Sequence, residues 1–238
     1  MEELKEKVAA LRKATNDDAR IRILQQINEL LLTKYAIKIG DLKVVPLWVE
    51  AYYYDKGKFC DCNIHMSDKQ KGRPGQLYFH ETGYGGLDIC LSDESNYYLS
   101  ILLKATLVCK DGQEEYKTQT QIYDILPVLN VSEKDMENMK DILVPSENGW
   151  TKIIHTKRVN LTKPCYQEEC LAAVPIDVIS RYDMRKFARA SLAESAAQYI
   201  AEFKKENPFL TKKDYEKECK RVFGWLPDSV GKLLKGLT

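Results

Sequence analysis

No uninterrupted apolar run in the 238 residues approaches the ~18 that a membrane-spanning helix requires, so the sequence offers no candidate span. The opening residues, Met1-Glu2-Glu3-Leu4-Lys5-Glu6-Lys7, alternate in charge and lack the basic-then-apolar layout of a secretion signal. A cytoplasmic protein with no membrane partner is therefore expected. Charge of one sign is also lacking: 36 basic residues face 35 acidic ones, for a net charge of +1. That balance argues against broad electrostatic coating of nucleic acid without forbidding DNA, and a DNA-acting chain of this kind has to gather its lysines and arginines on one face. The seven cysteines are odd in number and irregularly spaced, which does not read as a disulfide framework. Internal repeats and low-complexity tracts are absent. So are the G-x-G-x-x-G and Walker-type loops that cradle phosphates, and no cofactor is expected.

What is present reads as one α+β domain over 1–238, with helices in 1–35, a β core in 37–161 and helices again in 183–238. Leu4, Val8 and Leu11 recur at helical spacing, and a second stripe follows in Ile21, Leu24, Ile27 and Leu31 after the break at Thr15-Asn16-Asp17. From Ile37 the texture changes to β-branched and aromatic runs such as Val44–Val49 and Tyr97–Leu103, separated by turn residues. Short runs joined this way predict a curved, mostly antiparallel sheet. Thr120 to Val131 is expected to add a strand, Ser132 to Ile142 a short capped helix, and Trp150 to Leu161 a further strand. Asp183 is expected to cap a helix that ends before Pro208. Tyr215, Cys219, Val222 and Phe223 mark a last helix, whose lysines form a solvated face.

The chemistry-bearing stretch is Val49-Glu50-Ala51-Tyr52, then His65, then Gln76-Leu77-Tyr78-Phe79-His80, and Tyr84-Gly85-Gly86-Leu87-Asp88. Two residues apart on a strand, Glu50 and Tyr52 share a face. A carboxylate in a semi-buried cleft can activate water. The flat rings of Tyr52, Tyr78, His65 and His80 suit stacking on a planar base. Gly83, Gly85 and Gly86 free a turn to present Tyr84 outward. Cys60-Asp61-Cys62 with His65 has zinc-like donors but no fourth ligand at a usual spacing, and is read as loop cysteines with free thiols.

These motifs, with Pro74-Gly75-Gln76-Leu77-Tyr78-Phe79 and Leu102-Leu103-Lys104-Ala105, stand in the order found in the alkyladenine (3-methyladenine) DNA glycosylases, which the chain resembles over about a quarter of its length. It looks closest to a divergent glycosylase-like branch with Tyr-Phe-His and Gly-Tyr-Gly-Gly signatures. The resemblance implies a 3-methyladenine glycosylase-like sheet and hydrolysis of the N-glycosidic bond of a flipped base in DNA, without metal or cofactor. It assigns Glu50 as the general base and Tyr52 as a stacking ring, with His65 as the pocket histidine. It makes Tyr84 the wedge that fills the gap left by the flipped nucleotide. His80 falls where the family stacks a second tyrosine, Asp88 where it has a pocket asparagine, and Lys104 where it has an arginine on the DNA-facing strand. The changes at 80 and 88 add a titratable ring and an acceptor-only anion, a second anion near Glu50. The family's later G-P-G-K-L helix start has no clear counterpart; Arg158-Val159-Asn160-Leu161-Thr162 is at best a remnant of the neighbouring segment. These departures leave open a second reading, a nucleic-acid or nucleotide binding module without hydrolysis, and a third, a structural protein whose terminal helices bind a partner.

Overall fold

A computed structural model of the chain describes residues 2–80, 85–182 and 189–237. Two helices open it, α1 (Glu2–Lys13) and α2 (Asp17–Lys34), with Asn16 accepting from the Ala19 amide as the N-cap of the second. Leu4, Val8, Leu11, Leu24, Ile27 and Leu31 are buried, as their helical spacing predicts.

The sheet is built around two long antiparallel strands, β2 (Leu42–Asp55) and β6 (Tyr98–Lys110). Neither is flanked by one long neighbour. Along its other edge β2 meets in turn β1 (Tyr35–Ile39), β10 (Ala172–Pro175) and β3 (Phe59–Cys60). Along its own other edge β6 meets β5 (Leu87–Cys90) and then β7 (Gln113–Thr118). Short strands β4 (Leu77–Phe79), β8 (Leu143–Pro145) and β9 (Ile153–Thr156) extend the edges. Every pairing among the described residues is antiparallel, and the sheet curls into a half-barrel. Serial short neighbours on long twisted strands favour such a curl, because each flank can rotate independently of the next.

The curl is sharpened where β2 and β6 fall out of step. Pro46 pairs with Thr106 and Trp48 with Ala105, which passes over Leu47; Val49 then pairs with Leu103, which passes over Lys104. The shifts cancel, as two opposed bulges do, and Pro46, lacking an N–H, stands where the ladder first breaks. The extra residue in β6 lets Leu102 and Ala105, three positions apart, project to one face.

Each face has its own core. Val49, Ala51, Ile89, Ile101 and Leu103 pack with α1 and α2. On the opposite face, Trp48, Ala105, Leu107 and Val174 pack with the C-terminal helices α5 (Ile176–Arg181), α6 (Arg189–Glu206), α7 (Lys212–Phe223) and α8 (Asp228–Leu233). As expected, α6 stops before Pro208, and Tyr215, Cys219, Val222 and Phe223 are buried on α7. The cap expected at Asp183 lies outside the described residues.

Two expectations are corrected. Residues 121–129, read as a strand, form a 3-10 turn and the short helix α3 (Ile125–Leu129). Their apolar positions Ile122 and Ile125 are buried one helical turn apart, a spacing that a short window does not separate from alternation. The sheet also recruits residues beyond Leu161: β10 pairs with Glu50 itself. The helix at Ser132 forms as α4 (Glu133–Asn138) with a capping box.

Candidate active site

One row across the sheet carries most of the chemistry. Tyr78, Asp88, Leu102, Glu50, Ala172 and Thr156 are successive cross-strand partners over β4, β5, β6, β2, β10 and β9. Directly opposed residues project to the same face. The C-terminal helices cover that face at its Trp48 end, and beside them opens a cleft of about 850 Å³. Glu50, Tyr52, Leu102 and Lys104 form its floor, His65 and His80 one flank, and residues 118–120, 159–162 and 189–191 the others.

Glu50 is only 2% exposed. Its Oε2 accepts from the Tyr52 hydroxyl at 2.9 Å, and Lys104 Nζ lies 3.5 Å from its Oε1. The lysine expected on a DNA-facing strand is thus turned to the cleft floor, with its side chain 16% exposed. A carboxylate offers about four lone-pair sites, so these two contacts leave room for a water. Burial, reinforced by the charge of Glu50, holds the Tyr52 phenol well above its ordinary pKa. Tyr52 therefore remains a donor to Glu50 at any working pH.

Beneath Tyr52 lies a charge pair that the sequence did not announce. Arg158 places its guanidinium carbon 4.5 Å from the Tyr52 ring centre. It donates to Asp61 Oδ2 at 2.5 Å and to the Ala51 carbonyl at 3.0 Å, and both side chains of the pair are 0% exposed. The cation faces one side of the ring and fixes its plane. In the sequence Asp61 is only the centre of a Cys-x-Cys loop, and Arg158 only the start of a motif remnant. Neither carried a signal for burial, which arises from contact between residues far apart in the chain.

The two histidines meet. Their ring centres are 4.0 Å apart at 46°, and His65 Nδ1 is 3.4 Å from the Tyr78 hydroxyl. Burial against this cluster, and the neighbouring His80, push the pKa of His65 down. His80 Nε2 is 2.8 Å from Asp88 Oδ1. Asp88 Oδ2 accepts from Gln70 Nε2 at 3.0 Å and from Ser100 Oγ at 2.7 Å. Asp88 is buried behind His80, outside the cleft lining. Its oxygens are occupied by these partners, so it supports the histidine instead of facing a ligand.

Of the residues singled out from sequence, Glu50, Tyr52, His65, His80 and Lys104 line one cleft, and Asp88 stands directly behind it. Tyr84 lies outside the described residues. The Cys60-Asp61-Cys62 expectation is corrected: Cys62 is disulfide-bonded to Cys165, 103 residues away, while Cys60 is free. Asn63 reinforces the tie by donating to the Lys163 and Cys165 carbonyls. The bond joins the loop of His65 to the segment that carries the 159–162 flank, a proximity that spacing along the chain does not reveal. No helix among the described residues is long and apolar enough to cross a membrane.

No protein-family model matches the chain, and no curated protein matches it at a significant level.

Proposed function

We propose that the chain hydrolyses the N-glycosidic bond of a damaged or modified base flipped out of DNA, as its resemblance to the alkyladenine DNA glycosylases implies. The observation that carries this reading is Glu50, a buried carboxylate lining a cleft beside the rings of Tyr52, His65 and His80, with lone pairs left to accept from a water. Glu50 accepts a proton from that water as the water oxygen attacks the anomeric carbon, and the base departs. Tyr52, held flat by Arg158, stacks on the base. Lys104 and the Tyr52 hydroxyl orient the carboxylate between them. Flipping costs a few kcal/mol, least at damaged or mispaired sites, so selection starts there.

The test is single-turnover base release on a panel of lesion duplexes, beside a binding titration. Glu50→Gln keeps the shape and removes the basicity; it should abolish release and leave binding close to wild type. Tyr52→Ala should instead weaken binding by ~1–3 kcal/mol, the worth of one stacked base. Binding to duplex DNA should fall steeply as salt rises. Undiminished turnover in Glu50→Gln would sink the mechanism.

A second reading, a binding module on the same fold, is favoured by one feature: each Glu50 oxygen already has a protein partner. Tight binding by wild type with no release across the panel would establish it.

A further inference from the structure

Two long loops flank the cleft, and the chain ties them to each other. Residues 61–76, between β3 and β4, carry His65, and their one regular turn is Asp68–Gln70. Residues 157–171, between β9 and β10, contain no helix or strand and supply the 159–162 flank. Adjacent antiparallel strands are ordinarily joined by ~2–5 residues, and long connections without structure of their own are usually functional. We infer that residues 159–165 form a strap governed by the Cys62–Cys165 bond: a dithiol reductant frees it and opens the cleft, and a disulfide oxidant closes it again. The device does not depend on which ligand the cleft takes.

The strap is anchored at both ends. Arg158 enters the core, on Asp61 and the Ala51 carbonyl, and its side chain has no exposure. Tyr166 stacks on Phe59, with ring centres 3.8 Å apart at 14°, and donates to Asp17 at 2.8 Å. Its φ of +51 is one that a bulky side chain rarely adopts, so these contacts hold a turn that the backbone alone disfavours. Between the anchors the chain runs over the surface. Asn160, Thr162, Lys163 and Pro164 are exposed, and Val159 and Leu161 are partly so.

Apart from the disulfide, the strap's middle is held by polar contacts. Asn63 Nδ2 donates to the Lys163 carbonyl at 3.1 Å and to that of Cys165 at 3.0 Å. Its Oδ1 accepts from the Lys163 amide at 3.1 Å, and Lys163 Nζ donates to the Cys62 carbonyl at 2.9 Å. All but the Cys165 contact are exposed, where water competes for the same groups. The covalent bond therefore decides whether they persist. The Arg158–Asp61 pair is buried and needs no disulfide, so reduction frees the strap and leaves Tyr52 held.

The bond is placed for reversible exchange. Both cysteines are partly exposed, so a thiolate can reach the sulfurs. Five other cysteines are free thiols, which sets this bond apart from a disulfide scaffold. One thiolate of the dithiol attacks Sγ of either cysteine, the S–S bond breaks, and its electron pair leaves on the other sulfur. The second thiol of the dithiol then attacks the mixed disulfide and releases the first cysteine. The dithiol ends oxidised to its own disulfide, and its two protons pass to the two cysteine thiols.

The experiment is limited proteolysis of the full chain by subtilisin, with the fragments identified by mass. It compares the oxidised chain, the chain after native reduction with dithiothreitol, and Cys62→Ser without reductant. The oxidised chain should resist within 159–165. The other two should be cut there first, because cleavage follows local opening, while their circular dichroism stays that of the oxidised chain. Reoxidation with glutathione disulfide should restore the resistance. Acetylation of Lys104 on the cleft floor, by an N-hydroxysuccinimide ester after the free thiols are blocked with iodoacetamide, should be faster in the two opened forms. If Cys62→Ser does not fold, the reduced wild type decides. Equal resistance at 159–165 in every form would overturn the inference, as would unchanged Lys104 acetylation. So would cleavage spread along the whole chain on reduction, or a bond that dithiothreitol breaks only in denaturant, since the disulfide would then be a staple of the entire fold.

Discussion

Arg158 lies 4.5 Å from the centre of the Tyr52 ring, and Tyr52 donates to Glu50 at 2.9 Å, so a fully buried cation is linked to the proposed general base through one side chain. The guanidinium is in turn neutralised by Asp61, which has no exposure either. Removing one member of such a pair strands the other in a low-dielectric site. Arg158→Met should therefore cost about 3–5 kcal/mol in denaturant unfolding. The double variant Arg158→Met with Asp61→Leu should recover much of that loss. Equal instability of single and double variants would mean that packing, not charge, sets the cost.

Gly86 should tolerate no side chain. Its φ of +147 is strained for any L-residue, and the added Cβ would meet a His80 ring that Asp88 prevents from swinging away. Gly86→Ala should lose about 1–3 kcal/mol and displace the ring. Chemical unfolding measures the first effect and the His80 imidazole resonances report the second. An alanine variant of wild-type stability with unmoved resonances would contradict the geometry.

The pH dependence of stability should carry the mark of His65, whose folded pKa is pushed down by burial and by His80. Between that lowered value and the unfolded value of about 6.5, the unfolded chain binds the extra proton. Stability should therefore decline as pH falls below about 6.5, and this contribution should be flat above it. His65→Gln should remove that part of the slope. A titration of unfolding free energy against pH decides it, and an unchanged slope would count against a His65 ring packed beside His80.

The Cys62–Cys165 bond closes a loop of 103 residues and should contribute about 2–4 kcal/mol. Reductant should lower the thermal midpoint of wild type and leave that of Cys62→Ser unmoved. Thiol titration of the denatured, unreduced chain should find five free cysteines. A count of seven would show that the bond does not form in solution.

Much of this was legible along the chain because it depends on local periodicity. The stripes of α1, α2 and α7, the stop before Pro208 and the strand runs around Val44–Val49 and Tyr97–Leu103 follow from which residues recur on one face. The shared face of Glu50 and Tyr52 is of the same kind. Where periodicity is short it does not decide: residues 121–129 have too few apolar positions to separate a strand from the turn of helix that forms.

By itself, then, the sequence determined an α+β chain with helices at both ends and a β core, and it placed Glu50, Tyr52, His65, His80 and Lys104 as the residues to watch. Only the tertiary structure decided how they act on one another. The cancelling bulges at Leu47 and Lys104 bring the lysine to Glu50, and the β4–β5–β6 register sets Asp88 behind His80. Arg158, Asp61 and the Cys62–Cys165 bond join positions that are remote in sequence. Burial and charge pairing are properties of such long-range contacts, and no pattern of neighbours along the chain encodes which distant residue will complete them.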